Sequence, residues 1–196
     1  MIKTTKIGIL GGAFNPPTIG HLQLAKAALE KTDMQDIWFM PCKNHVFNKD
    51  MIDAEKRYDM CSIMVKKELN IVVGRHEIDN DLPGDTYATL NFIKNYYIDP
   101  YFIIGGDNAN NINKWKNWRK IIKEHKFIVA GRIGYTQDET KYWWKYGEHI
   151  DIGDTDIMEC SSSEVRELLK DGKKVEKYIH EDVYEYIKEH KLYEVK

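Results

Sequence analysis

Cysteine is scarce in this chain: Cys42, Cys61 and Cys160 are its only three, far apart and in no C-x-x-C pair. An odd, dispersed set excludes a disulfide framework and a cysteine metal knuckle, and predicts reduced thiols in a cytosol. No apolar run approaches the roughly 20 residues needed to cross a bilayer. Met1 to Lys6 lead straight into a short apolar strand without the apolar stretch and small-residue cleavage site of a secretory leader. The expectation is a cytoplasmic protein with no membrane contact. Neither sign of charge predominates, since 29 Lys and Arg face 31 Asp and Glu for a net charge of -2. That balance argues against a general nucleic-acid surface and leaves phosphate binding to a local site. Also absent are the Walker loop G-x-x-x-x-G-K-[ST] and the dinucleotide fingerprint G-x-G-x-x-G. His76-Glu77 lacks the second histidine of H-E-x-x-H, and no carboxylates or histidines show protein-ligand spacing, so no metal held by the protein itself is expected.

What is present is enough apolar material, 42% of 196 residues, for one sizeable core and one domain spanning 1–196. Short β-branched or aromatic runs alternate with segments of helical period, the pattern of a parallel α/β sheet. The runs are Lys6 to Leu10, Ile37 to Met40, Ile71 to Val73, Tyr101 to Ile104, Phe127 to Ala130 and a weaker Ile150 to Ile152. Helical patterns cover His21 to Glu30, Glu55 to Lys67, Thr86 to Tyr96 and Asn108 to Trp118. From about 160 to 196 the character changes: Ser163 to Leu169 and Asp182 to His190 read as two helices with no strand between them, a tail expected to pack on the sheet. The aromatic segment Tyr142 to Tyr146 has no clear period.

Three stretches carry chemistry. Gly11-Gly12-Ala13-Phe14-Asn15-Pro16-Pro17-Thr18-Ile19-Gly20-His21 joins the first strand to the first helix, at the carboxyl edge where open α/β sheets bind ligands. Its glycines let backbone approach an anion, and the helix start offers free N–H groups and a positive dipole end. Ser161-Ser162-Ser163-Glu164-Val165-Arg166 sets three hydroxyls at a second helix start with an arginine one turn in, a second anion site. Phe102-Ile103-Ile104-Gly105-Gly106-Asp107 ends a buried strand in two glycines and an acid at the same edge.

Thr18-Ile19-Gly20-His21 resembles the [HT]-x-G-H signature of the nucleotidyltransferase superfamily that includes class I aminoacyl-tRNA synthetases. Ser161 to Arg166 resembles that group's S-S-[ST]-x-[IV]-R element, and Gly105-Gly106-Asp107 followed by Trp115 resembles its G-x-D and tryptophan. Over nearly the whole chain the sequence is similar to the nicotinate-mononucleotide adenylyltransferase family. Thr86 falls in that family's S-Y-T-x-D-T-L segment, Arg132 and Gly134 in its R-x-G, and Leu192-Tyr193 in its ending. The resemblance implies a Rossmann-like nucleotidyltransferase fold, a central parallel sheet of five to six strands flanked by helices, with a small C-terminal helical portion.

It further implies transfer of AMP from ATP to nicotinate mononucleotide, with Mg2+ bound to the ATP. His21, Thr18 and Arg166 would act on the phosphates. Gly11, Gly12, Ala13, Phe14, Gly105, Asp107, Arg132, Ser161, Ser162 and Ser163 would contact ATP. Lys43, Asn44, Thr86 and Trp115 would contact the mononucleotide. The chain departs from the family where Thr18 replaces a histidine, Ala88 an aspartate and Asn80 a frequent arginine. Pro41 to Lys49 stands in place of a P-P-H-K loop, and either Lys43 or Lys49 can supply its cation. Nicotinamide mononucleotide is the competing substrate, and a nucleotide-sensing module without turnover the reading from another class. Oligomeric state stays open, including a homo-oligomer.

Overall fold

Every apolar run named above pairs with a neighbour in parallel register, and most strands extend a residue or two beyond the run itself. A computed structural model describes residues 6–44, 51–96, 100–132, 146–158 and 160–194. Its strands are β1 (Ile7–Gly12), β2 (Asp36–Pro41), β3 (Ile71–Val73), β4 (Tyr101–Gly105), β5 (Lys126–Arg132) and β6 (His149–Thr155). They form one six-stranded sheet in the order β3-β2-β1-β4-β5-β6, with each pairing parallel. The order reverses between β1 and β4, which makes their carboxyl ends the topological switch point where a ligand crevice is expected.

The helices are α1 (Ile19–Lys31), α2 (Ala54–Val65), α3 (His76–Asp79), α4 (Thr86–Lys94), α5 (Gly106–Asn110), α6 (Trp118–Glu124), α7 (Ser162–Lys170) and α8 (Glu181–Glu189). Side chains alternate across the sheet and so divide between two cores. Leu10, Ile37, Phe39, Ile103 and Ile128 face a core closed by Ala25 and Ala28 of α1, Met60 and Met64 of α2, Val165 and Leu169 of α7, and Val183 and Ile187 of α8. Ile9, Met40, Phe102, Ile104, Phe127 and Val129 face the other, closed by Leu90 and Ile93 of α4, Ala109 of α5, and Ile121 and Ile122 of α6. Ile9, Ile37 and Ile128 have no exposed surface, and burial of each stabilises the fold by about 2 kcal/mol. The C-terminal helices thus pack on the sheet beside α1 and α2, as expected.

One expected helix is corrected. Asn108 to Trp118 is not continuous: α5 stops at Asn110, a short 3-10 turn covers Ile112–Lys114, and α6 begins at Trp118. Trp115 is extended at φ -80, ψ 146, and Asn117 is left-handed at φ 60. Asparagine tolerates that conformation better than most residues, so the break falls where the sequence permits it. Among the described residues no helix is long and apolar enough to cross a membrane. His45 to Lys49, Gly134 and Tyr142 to Lys145 lie outside the described residues.

Candidate active site

The site is built from the ends of β1 and β4 and the starts of α1, α4 and α7. Thr18 is the N-cap of α1, in extended backbone. His21, the third helical residue, turns its ring back so that Nδ1 accepts the Thr18 backbone N–H at 2.9 Å and lies 2.8 Å from Thr18 Oγ1. A histidine therefore occupies the place glutamate usually takes in a capping box. Because Nδ1 is an acceptor, the proton of the neutral ring sits on Nε2. Phe14, with 1% exposure and a left-handed φ of 48, meets the His21 ring edge-on at 5.0 Å. A left-handed phenylalanine carries backbone strain, a feature that clusters at binding sites.

The spacing of Thr18-Ile19-Gly20-His21 has a packing reason. A Cβ on Gly20 would stand 2.7 Å from the Met158 carbonyl oxygen, and the Met158 N–H donates to Gln23 Oε1 at 2.7 Å. Only glycine lets the chain after β6 lie across the start of α1. Gly11 and Gly12, expected in a loop, are the last residues of β1. A Cβ on Gly11 would press within 2.9 Å of the Phe102 ring.

The two anion motifs meet. Arg166 donates through Nη1 to the Asn15 carbonyl at 2.8 Å and through Nη2 to Ser163 Oγ at 3.2 Å. Ser162 Oγ donates to the Pro16 carbonyl at 2.7 Å. Ser161 caps α7, with its Oγ accepting the Glu164 N–H at 3.2 Å while Glu164 Oε2 accepts the Ser161 N–H at 2.7 Å. Those charge-assisted contacts hold the Glu164 carboxyl below its ordinary pKa, chiefly through Ser161. The three serine hydroxyls therefore each have a partner inside the protein: Ser162 joins α7 to the loop after β1, Ser163 meets Arg166, Ser161 caps the helix, and all three line the cavity. The loop itself holds a cis Asn15-Pro16 bond.

A cavity of about 810 Å³ runs along this edge. Of the residues expected to bind, Gly11, Gly12, Ala13, Phe14, Thr18, His21, Thr86, Gly105, Asp107, Trp115, Ser161, Ser162, Ser163 and Arg166 line it. Lys43 and Asn44 are not on that wall. The Lys43 ammonium is 2.8 Å from Asp81 Oδ1, and Asn44 Nδ2 donates to the Leu82 carbonyl at 3.3 Å. Arg132 ends β5 and pairs with Thr155. Asp107 Oδ1 is buried without a hydrogen-bond partner among the described residues, an acceptor available to a ligand donor.

Two further residues matter that the sequence reading passed over. Arg57 is 1% exposed. Its guanidinium donates to the carbonyls of Ala13 at 2.7 Å, Cys42 at 2.7 Å, Ile52 at 3.0 Å and Lys43 at 3.3 Å, joining the loops after β1 and β2. The signal was its place with Met60, Cys61 and Met64 on the apolar face of α2. Glu77, 5% exposed, lines the cavity and accepts the Thr89 hydroxyl at 2.7 Å. Burial pushes its pKa up to about 7, against the pull of that hydrogen bond and of Arg57. Beside it, burial pushes the Cys42 thiol up to about 11, which keeps it protonated and unreactive.

A doubly wound parallel sheet with phosphate-type loops at its switch point defines a nucleotide-binding α/β protein. The cytidylyltransferase-like family model matches residues 9–168. Two relatives carry the name "Probable nicotinate-nucleotide adenylyltransferase". The Bacillus licheniformis protein is 33% identical over 193 residues, covering 96% of this chain and 98% of its own. That of Clostridium tetani is 32% identical over 197 residues, with 96% and 98% covered. The chain belongs to the cytidylyltransferase-like family and, within it, to the nicotinate-nucleotide adenylyltransferases. In fold it is similar to two structures of Plasmodium falciparum nicotinic acid mononucleotide adenylyltransferase, each covering 98% of both chains. The complex with NaAD has a TM-score of 0.84 at 24% identity, and that with APC 0.81 at 23%.

Proposed function

We propose that this protein transfers the adenylyl group of ATP to the 5′-phosphate of nicotinate mononucleotide, giving nicotinate adenine dinucleotide and pyrophosphate. The observation that carries the reading is that His21 and Arg166 line one cavity, His21 against Phe14 and Arg166 bonded to the next residue, Asn15. In this reaction a phosphate oxygen of the mononucleotide attacks the α-phosphorus of ATP in line. The bond from the α-phosphorus to its bridging oxygen breaks, and pyrophosphate leaves with the electron pair. No covalent enzyme intermediate is needed, so the protein supplies position and charge stabilisation.

His21 would donate its Nε2–H, and Arg166 its charge, to oxygens that gain charge in the transition state. Thr18 would set the His21 ring through the contacts at Nδ1. The start of α7, with Ser161 to Ser163, would hold the triphosphate tail. Asp107, with its buried free oxygen, would accept from the nucleoside, and Thr86 and Trp115 would bound the pyridine end. Lys43 would serve the mononucleotide only on leaving Asp81, and Arg132 would lie toward the adenine. Among the described residues no three His, Cys, Asp or Glu gather to hold a metal ion. A magnesium ion would then be held mainly by the triphosphate it accompanies, with Asp107 the unpartnered carboxylate oxygen on the cavity wall. When bound, it would supply charge neutralisation on those phosphates.

The test is pyrophosphate release from Mg-ATP with nicotinate and nicotinamide mononucleotides in parallel. The wild type is expected to prefer the acid, and His21→Ala to lose about 10²- to 10³-fold in kcat. No release with either mononucleotide would overturn the proposal.

A further inference from the structure

Glu77 and Asp85 both line the cavity that His21 and Arg166 line, and their circumstances differ. Asp85 is compensated: its Oδ1 accepts the Ala88 N–H at 2.9 Å, and its Oδ2 lies 3.0 Å from the Lys116 ammonium. The guanidinium that acts on Glu77 is that of Arg57, which gives its N–H groups to the carbonyls of Ala13, Cys42, Ile52 and Lys43. Glu77 Oε1 accepts the Thr89 hydroxyl at 2.7 Å. Its Oε2 is buried with no hydrogen-bond partner among the described residues. A buried carboxylate oxygen without a partner is costly, and a proton on Oε2 removes that cost and makes the group a donor.

We propose that Glu77 couples nucleotide binding to proton uptake, being partly ionised in the free protein at neutral pH and neutral once substrate phosphates fill the cavity. The inference rests on the function proposed above only in that nucleotide anions occupy this cavity. A like charge disfavours a carboxylate, and inside a protein that repulsion is weakly screened. Glu77 is poised for it: burial pushes its pKa up to about 7 and Asp85 adds to the rise, while Thr89, a backbone contact at Lys43 and Arg57 pull the other way. The groups around it offer no substitute. The Cys42 thiol, pushed up to about 11 by burial, keeps its proton throughout. On its own helix, burial lowers His76 and so leaves it neutral, and Asp79 is paired with Arg75. Lys43 is paired with Asp81. Across the cavity, His21 is the other group that can gain a proton, but its Nδ1 already accepts the Thr18 N–H.

The experiment measures binding heats of the full chain, wild type and Glu77→Gln, in buffers of different ionisation enthalpy. The ligands are nicotinate mononucleotide and Mg2+ with α,β-methylene ATP, which cannot release pyrophosphate. Glutamine keeps an acceptor for Thr89 and cannot ionise. If the ligands raise Glu77 by about one pH unit, the wild type at pH 7 takes up about 0.4 proton more than the variant, and its Kd rises about fivefold more between pH 6 and 8. Titrating the Glu77 carboxyl carbon by NMR in the wild type, free and saturated with both ligands, reads the same shift without any substitution. Equal uptake in the two proteins would give the proton to another group, His21 foremost, and overturn the proposal, as would a Glu77 titration that the ligands leave unmoved. Binding with proton uptake but no pyrophosphate release from ATP would count against the reaction alone, and failure of both ligands to bind would overturn both.

Discussion

The Tyr193 hydroxyl donates to Asn15 Oδ1 at 2.8 Å, across 178 residues of sequence. Asn15 is 3% exposed, and its carbonyl holds Arg166. The end of the described chain is thereby joined to the loop that positions the arginine. Tyr193 itself adopts a left-handed φ of 62, and burial pushes its phenol well above the usual tyrosine range. It therefore stays a donor at any ordinary pH.

Tyr193→Phe removes that donor and leaves Asn15 Oδ1 without it. We expect a loss of about 1 kcal/mol in stability. Turnover should fall by about fivefold if the same energy is lost from the transition state, because Asn15 is freed to shift and Arg166 with it. Urea unfolding read beside pyrophosphate release checks both, and wild-type turnover would show that Asn15 needs no such brace.

Arg57→Leu should be costlier. Arginine joins the loops after β1 and β2 through four carbonyls, and a leucine leaves those buried acceptors unpaired. The expected destabilisation is on the order of 3 kcal/mol, measured as a lower urea midpoint at unchanged slope. Arg57→Lys keeps the charge without the planar fork and should recover only part of the loss. Equal midpoints for Leu and Lys would assign the effect to packing.

How much of this was legible beforehand divides along physical lines. Thr18 to His21, Ser161 to Arg166 and Gly105 to Asp107 could be found because caps, tight contacts and strand ends are local, and local geometry leaves residue spacing behind. The helix across Asn108 to Trp118 was misread because apolar period alone cannot see the left-handed turn at Asn117 or the extended Trp115. Gly11 and Gly12 read as loop, yet they continue β1 because Met40 and Pro41 pair with them. Lys43, expected at the mononucleotide, has a partner no spacing reveals: Asp81, brought near by the turn before α4, lies 2.8 Å from its ammonium. Arg57 leaves no such trace, because its partners are backbone carbonyls, which no side-chain pattern records. Lys116 and Asp85, 31 positions apart, meet only once α4 and the loop after α5 converge.

Glu77 and His125 give the chain opposing pH dependences. Burial first, then the neighbouring Asp85, raises Glu77 from 4.5 to about 7, opposed by Thr89, a backbone contact at Lys43 and Arg57; the Cys42 thiol also faces it. Between those two values the folded chain keeps a proton that the unfolded chain releases, so stability falls as pH rises, by on the order of 3 kcal/mol over the window. His125, 5% exposed, is lowered from 6.5 to about 4, by burial first and then by Lys94, with Glu124 pulling the other way. There the unfolded chain binds the proton, and stability rises with pH between about 4 and 6.5. The two slopes offset each other from about pH 4.5 to 6.5, and above that Glu77 alone remains. Glu77→Gln cannot ionise, so it removes one slope and keeps the other. Its melting temperature relative to wild type should climb steadily from pH 5 to about pH 7.5. Parallel curves for the two proteins would mean that Glu77 carries an ordinary carboxylate pKa and that the wall beside Asp85 is doubly charged at neutral pH.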